Sequence, residues 1–271
     1  MESTERIAFS LQKGGVGKTA CCIHLAGAYA ERNQRVLLVD LDGQGGLTEG
    51  IGRRDAYGRS PSIVDALTSY TNGKQVDPQE LIVSREPFDL IPAHRDLSTL
   101  SEQLSKDRAW FRRLDQLLSE IDGPYDYVLI DSPPELSRVS DSALIASGNV
   151  VIPMIPEEPA ARGLEKMVTD QIRPIREDLG EDLEITAIVP NRVLDSGETE
   201  RVISGLREGF QDLVSPVHIR KRVDIPRAWR EGKTLFEHAP ESDMCPRFLE
   251  LSKYVERRLN TFNTAEMEAQ V

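Results

Sequence analysis

Nine residues near the start of the chain, Leu11-Gln12-Lys13-Gly14-Gly15-Val16-Gly17-Lys18-Thr19, put three glycines, two lysines and a hydroxyl into one short segment. Glycine reaches backbone dihedrals that other residues avoid and lets a ligand approach the main chain closely. Successive N–H groups of such a loop form a concave nest of donors, and a helix opening at Lys18 adds the positive end of its dipole. That combination suits a polyphosphate. Lys18 would place a point charge on the β and γ oxygens, and the Thr19 hydroxyl is a ligand for Mg²⁺. Gly14, Gly15, Val16, Gly17, Lys18, Thr19 and Ala20 are therefore the expected phosphate cradle. The usual P-loop carries glycine where Gln12 stands, and here a second lysine, Lys13, precedes the glycines.

A metal-bound polyphosphate also calls for carboxylates, and two segments offer them. Val36-Leu37-Leu38-Val39 runs into Asp40-Leu41-Asp42-Gly43-Gln44, and Tyr127-Val128-Leu129-Ile130 runs into Asp131-Ser132-Pro133-Pro134. Four apolar residues followed by aspartate is the Walker B form, which makes Asp131 a candidate for the Mg²⁺ shell, directly or through water. Aspartate also closes turns, so Asp40 or Asp42 could merely end its strand. Asn191, at the end of Ile188-Val189-Pro190, has an amide that can pair with an adenine edge or form a turn. In the segment His218 to Lys233, six basic residues (220, 221, 222, 227, 230 and 233) face two acids (224 and 231), in a chain of net charge −12.

Strands and helices alternate around these residues. Strands are expected at Ile7–Leu11, Val36–Val39, Phe88–Ile91, Tyr127–Ile130, Val150–Ile155, Ile185–Val189 and Val214–His218. Helices are expected at Lys18–Arg32, Ile63–Tyr70, Leu97–Ile121, Arg138–Ala146, Arg162–Leu179, Glu198–Phe210 and Met244–Leu259. The pattern is that of one doubly wound α/β domain over residues 1–260, a mostly parallel sheet with helices on both faces. Continuous apolar runs such as Val150–Ile155 fit strands covered on both sides. The candidate residues then fall at the carboxyl edge of the sheet, where such folds bind ligands. A flexible acidic tail is expected over 261–271.

Lys13-Gly14-Gly15-Val16-Gly17-Lys18-Thr19 resembles the deviant Walker A motif of the ParA/MinD family of ATPases. The likeness covers most of residues 6–255 and is looser over Pro61–Leu118. It implies binding of ATP and ADP with Mg²⁺, Mg²⁺-dependent hydrolysis and an ATP-dependent homodimer. Lys13 would then reach across the dimer to the partner's phosphates. Asp40-Leu41-Asp42-Gly43-Gln44 is similar to the family's Asp-x-Asp-Pro-Gln, with Gly43 in place of proline. By that likeness Asp42 activates water, and Asp40 supports the magnesium shell. Asn191 reads the base, and Pro226 packs on it. Arg220, Lys221, Arg222, Arg227 and Arg230 would hold non-specific DNA once the dimer forms. A ParB-like or other adaptor would stimulate hydrolysis, giving a nucleoid-associated positioning or partition protein. Ser132 stands where relatives that hold an iron–sulfur cluster keep a cysteine nearby, which counts against that branch.

Composition narrows the classes further. With 39% apolar residues, 271 residues can build a real core. No apolar run approaches the length of a membrane span. Met1 to Arg6 lacks the basic start and apolar stretch of a secretory signal, so a cytoplasmic protein is expected. Cys21, Cys22 and Cys245 form no C-x-x-C pair and are expected to be reduced and structural. Only 8 of the 33 Lys and Arg residues are lysine. That acidic, arginine-rich balance fits either a salt-rich cytoplasm or a GC-rich genome. A MinD-like membrane switch is the alternative function. It needs a basic amphipathic C-terminal helix, which Asn260–Val271 does not supply, so no membrane partner is expected. No helix-turn-helix precedes the first strand, so operator repression is not expected either.

Overall fold

The computed structural model describes the chain except residues 1–3, 73–75, 105, 106, 108, 122, 159, 270 and 271, and the side chains of 70–72 and 262–269. β1 (Glu5–Phe9) leads through the glycine loop into α1 (Lys18–Ala30) and β2 (Val36–Asp40). Then follow α2 (Gly46–Gly50), α3 (Ile63–Asn72), β3 (Val83–Arg85), β4 (Phe88–Ile91), α4 (Leu97–Leu104) and α5 (Arg113–Ser119). After β5 (Tyr127–Asp131) come α6 (Arg138–Ser147), β6 (Asn149–Met154), α7 (Ala160–Met167) and α8 (Arg173–Glu177). The chain closes with β7 (Glu184–Pro190), α9 (Gly197–Phe210), α10 (Asp224–Arg230), α11 (Leu235–His238) and α12 (Met244–Ala269).

The strands form one sheet in the order β3-β4-β2-β5-β1-β6-β7. Only β3 pairs antiparallel. Every residue of β2 and β5 is buried, as continuous apolar runs require in a sheet covered on both faces. Successive side chains alternate between two cores. Ile7, Phe9, Leu38 and Leu129 face the core under α1 and α12; Ala8, Leu37, Val39, Val128 and Ile130 face the other. On α12 the buried Phe248, Leu251, Val255 and Leu259 recur at helical spacing. Removing all but Cβ from one such side chain costs about 2–5 kcal/mol.

The register places function. Asp40 stands beside Asp131, and Phe9 is paired with Asp131 from the other side. The ends of β1, β2 and β5 therefore converge, and the glycine loop leaves from their midst.

Several elements differ from the sequence expectation. The long helix expected at Leu97–Ile121 is two helices, α4 and α5, joined in part by a 3₁₀ turn at Trp110–Arg112. The expected strand Val214–His218 makes only an isolated bridge at Val214, and Arg220 makes another. Pro216 lacks the N–H that a ladder needs. The helix expected at Arg162–Leu179 runs from Ala160 to Glu177 through a π turn at Val168–Ile172. Pro174 lies two residues past the turn and has no N–H for an ordinary helical bond. β3, α2, α10 and α11 were not expected; each has seven residues or fewer, too short for periodicity to register. The side chains of the expected acidic tail lie outside the described residues beyond Thr261.

Candidate nucleotide site

The loop between β1 and α1 keeps its shape through the end of β7. Gly17 has φ +90° and serves as the N-cap of α1; a Cβ there would overlap the Asn191 amide. Asn191 is buried, donates its Nδ2–H to the Val16 carbonyl at 2.7 Å, and accepts the Arg192 N–H at 2.9 Å. Arg192 donates from Nη1 to the Gly15 carbonyl at 3.2 Å. With those carbonyls held outward, the loop keeps its N–H groups for a ligand, as a phosphate nest must. Asn191 lines the cleft, and its amide shapes the loop.

Lys18 and Thr19 begin α1 and reach back toward the sheet. The Lys18 ammonium is buried and donates to the Leu11 carbonyl at 3.3 Å. Burial pulls its pKa down, while Asp131, Asp42 and Glu135 oppose that pull. Thr19 donates from Oγ1 to Asp131 Oδ2 at 2.6 Å. The other oxygen, Asp131 Oδ1, is buried and has no hydrogen-bond partner. Burial, with Asp40 alongside, raises the Asp131 carboxyl well above the usual carboxylate range. A buried ammonium and a buried carboxylate are thus each under-compensated. A polyphosphate against Lys18 and a hard cation near Thr19 and Asp131 would relieve both. The residues therefore fit Mg²⁺, which takes few protein oxygens and keeps several waters. Among the described residues no three His, Cys, Asp or Glu side chains group as a metal cage.

The two aspartates after β2 part company. Asp42 is half-buried and lines the cleft, with its Oδ1 accepting the Gln44 N–H at 2.9 Å. Asp40 is fully buried and turns inward. Its Oδ2 accepts the N–H of Thr48 at 2.8 Å and the Thr48 hydroxyl at 2.7 Å, and Oδ1 accepts the Asp42 N–H at 3.2 Å. Burial pushes its pKa up to about 7, and the Thr48 bonds hold it from going higher. Support of the magnesium shell is the role expected of Asp40 by resemblance. In this structure its oxygens anchor α2 and the loop that carries Asp42. Thr48, eight residues downstream, gave no sequence signal.

These groups open on a cleft of about 880 Å³. Its far wall is the segment after residue 218, where Ile225, Pro226 and Trp229 face the glycine loop. Arg220, Lys221, Arg222 and Arg230 line the same cleft, whereas Arg227 is exposed outside its lining. Four of the six basic residues in the window from His218 to Lys233 therefore line the cleft itself. Arg222 is forked onto Asp243 at 3.0 and 2.7 Å, and Arg220 stands 3.6 Å from Asp195. Lys221, Arg227 and Arg230 have no carboxylate partner among the described residues. Lys13 is exposed and likewise has none.

Comparison with known proteins adds to this geometry. A family model described as an AAA domain matches residues 4–185. The ParA family protein of Chlamydia muridarum is 32% identical over 252 residues, covering 91% of this chain and 95% of that protein. A McdA variant of Cyanothece, solved in complex with ATP, superposes with a TM-score of 0.82 at 20% identity, over 96% of this chain and 98% of that one. Cobyrinic acid a,c-diamide synthase of Mycobacterium smegmatis, solved with ADP and magnesium, is 28% identical with a TM-score of 0.71, over 88% and 96%. A glycine loop with two lysines, a Thr19–Asp131 pair beneath it, the sheet order and these relatives agree: the chain belongs to the ParA/MinD family of P-loop ATPases.

Proposed function

We propose that the chain is a ParA-type switch that binds Mg²⁺–ATP in this cleft, dimerises on it, hydrolyses it, and holds non-specific DNA in the ATP state to position a cargo. The observation that carries the reading is the convergence of Lys18, Thr19 and the half-satisfied Asp131 under the glycine loop, with Asp42 on the same wall. Lys18 meets the β and γ oxygens, and the N–H groups from Gly14 to Ala20 cradle the phosphates. Thr19 and Asp131 hold the cation, directly or through water. Mg²⁺ bound there would neutralise charge developing on the transferred phosphoryl group. Asp42 lies within the cleft with one oxygen free of the Gln44 amide, so it can orient the attacking water. Asp40 fixes that loop from below. Ile225 and Pro226 give an apolar wall for the base, beside the Asn191 amide.

The exposed Lys13, next in sequence to the cleft-lining Gly14, supports a role across the dimer, where it would complete the charge around a partner's phosphates. The unpaired Lys221 and Arg230 in the cleft lining support DNA contact, of the kind that needs no base readout. A ParB-like adaptor as the trigger of hydrolysis, and location on the nucleoid, follow from the same reading.

The test is phosphate release with and without DNA, in parallel with light scattering. Asp42→Ala is expected to bind ATP and reach a dimer mass of about twice 30.3 kDa. Its turnover should fall by about 10²–10⁴-fold, the contribution of a positioned acid–base group. Unchanged turnover would assign the water to another residue.

A further inference from the structure

Trp229 belongs to two structures at once. It sits on α10, one turn after Pro226, and lines the nucleotide cleft. Its indole N–H donates to the carbonyl of Gly46, the first residue of α2, at 2.9 Å. Its ring lies over Gly50, the last residue of α2, so closely that a Cβ on Gly50 would overlap the indole. Just beyond, Gly232 meets Gly52 backbone against backbone, with no room for a Cβ on Gly232. Arg85 ties the same two strands of chain together: Nε donates to the Ile51 carbonyl at 3.0 Å, and Nη2 to the Gly232 carbonyl at 2.8 Å. α10 and α2 are thus joined at both ends of α2 and are built to move as one body.

The inner side of α2 governs the loop that carries Asp42. Thr48 of α2 holds Asp40 by its N–H and its hydroxyl, and Asp40 accepts the Asp42 N–H. Tyr57 holds the outer side. Its hydroxyl donates to the Gly43 carbonyl at 2.8 Å, and its ring covers Gly45. The segment from Asp42 to Gly45 hangs between two fixed points, and one of them moves with α10.

We propose that Trp229 is a positioning residue that couples the base-side wall of the cleft to the loop bearing Asp42, so that a base seated against Ile225 and Pro226 sets the place of the water-orienting carboxylate. This rests on the ATPase reading above. Polyphosphate alone carries no base to seat against Ile225 and Pro226 of α10. A complete nucleotide braces α10, and through the indole bond to Gly46 it braces α2. The coupling makes the enzyme answer to the base as well as to the phosphates.

The test uses the full chain and two single variants, Trp229→Phe and Tyr57→Phe. Trp229→Phe keeps an aromatic ring at the position and removes the N–H donor together with the second ring of the indole. Hydrogen exchange is followed in a peptide spanning 40–52, with Mg²⁺ and either ATP or inorganic tripolyphosphate, together with kcat and KM for ATP. In the wild type, ATP is expected to slow exchange across 40–52 more than tripolyphosphate does. In Trp229→Phe that difference should vanish. Its kcat should fall about fivefold, the worth of one hydrogen bond, with KM within about twofold. Tyr57→Phe should loosen the same peptide yet keep the difference between ATP and tripolyphosphate. Equal protection by ATP and tripolyphosphate in the wild type would overturn the coupling, as would a Trp229→Phe protein with wild-type exchange and kcat. A wild type that turns over no ATP would defeat the ATPase reading, and the exchange comparison would still decide the coupling.

Discussion

Lys18 and Asp131 show how a site can be written in electrostatic strain. Both are buried, both are pushed toward neutrality, and each has capacity left over: the ammonium has a single long bond to a carbonyl, the carboxylate an oxygen with none. The binding of a phosphate and a cation would add the missing charges. His24 of α1 shows burial without that provision. Its Nδ1 accepts the Leu235 N–H at 3.1 Å, and burial holds its pKa down at about 4. The unfolded chain takes up this proton near pH 6.5, whereas the folded chain resists until about 4. Between those values the unfolded state binds more protons, so stability falls as pH falls. From pH 7.5 to pH 5 the loss due to His24 should be about 2 kcal/mol. His24→Asn offers an oxygen in place of Nδ1 and should lose correspondingly less in urea melts at the two pH values. Equal losses in both proteins would contradict the assignment. Lys18 and Thr19 stood out in the sequence because they belong to one contiguous glycine loop, and Asp42 and Asp131 because each follows an apolar strand run. The inward turn of Asp40 was not, because its captor Thr48 is marked by nothing but its place in the fold. Trp229 lay inside the basic window, but its partner Gly46 is 183 residues away in sequence.

At the scale of elements, short pieces decide what the long ones can do. The sheet and the large helices follow from apolar periodicity, and most of their positions could be read in advance. α2 and α10 have five and seven residues, and they hold their places through tertiary contact rather than through propensity. Their junction depends on two glycines packed against each other, Gly52 at φ +79° and Gly232 at φ +67°. Gly232→Ala would drive a methyl into the Gly52 backbone while also imposing a left-handed conformation on alanine. The expected loss is at least about 1 kcal/mol of stability, read as a lower urea midpoint. A variant with an unchanged midpoint would mean that the two loops are free to part. The π turn before Pro174 and the failed strand around Pro216 share one cause: a missing backbone donor, visible in sequence as proline but not in its local consequence.

Over the whole molecule, charge is distributed against the average. The chain carries −12, yet the cleft lining presents Lys221 and Arg230 without acidic partners. Phosphate contacts of that kind make affinity fall steeply with salt. Lys221→Glu is expected to weaken DNA binding by the ATP-bound protein and to flatten the plot of log affinity against log salt by about one unit. Unaltered affinity and slope would move the DNA surface away from the cleft. No helix among the described residues is long and apolar enough to cross a membrane. The most direct measurement of the central claim is calorimetric titration of Mg²⁺–ATP into the wild type and Lys18→Ala. The wild type should bind one nucleotide per chain and the variant none at the same concentrations. ATP binding of equal strength in both would contradict the cleft beneath the glycine loop as the site of nucleotide binding.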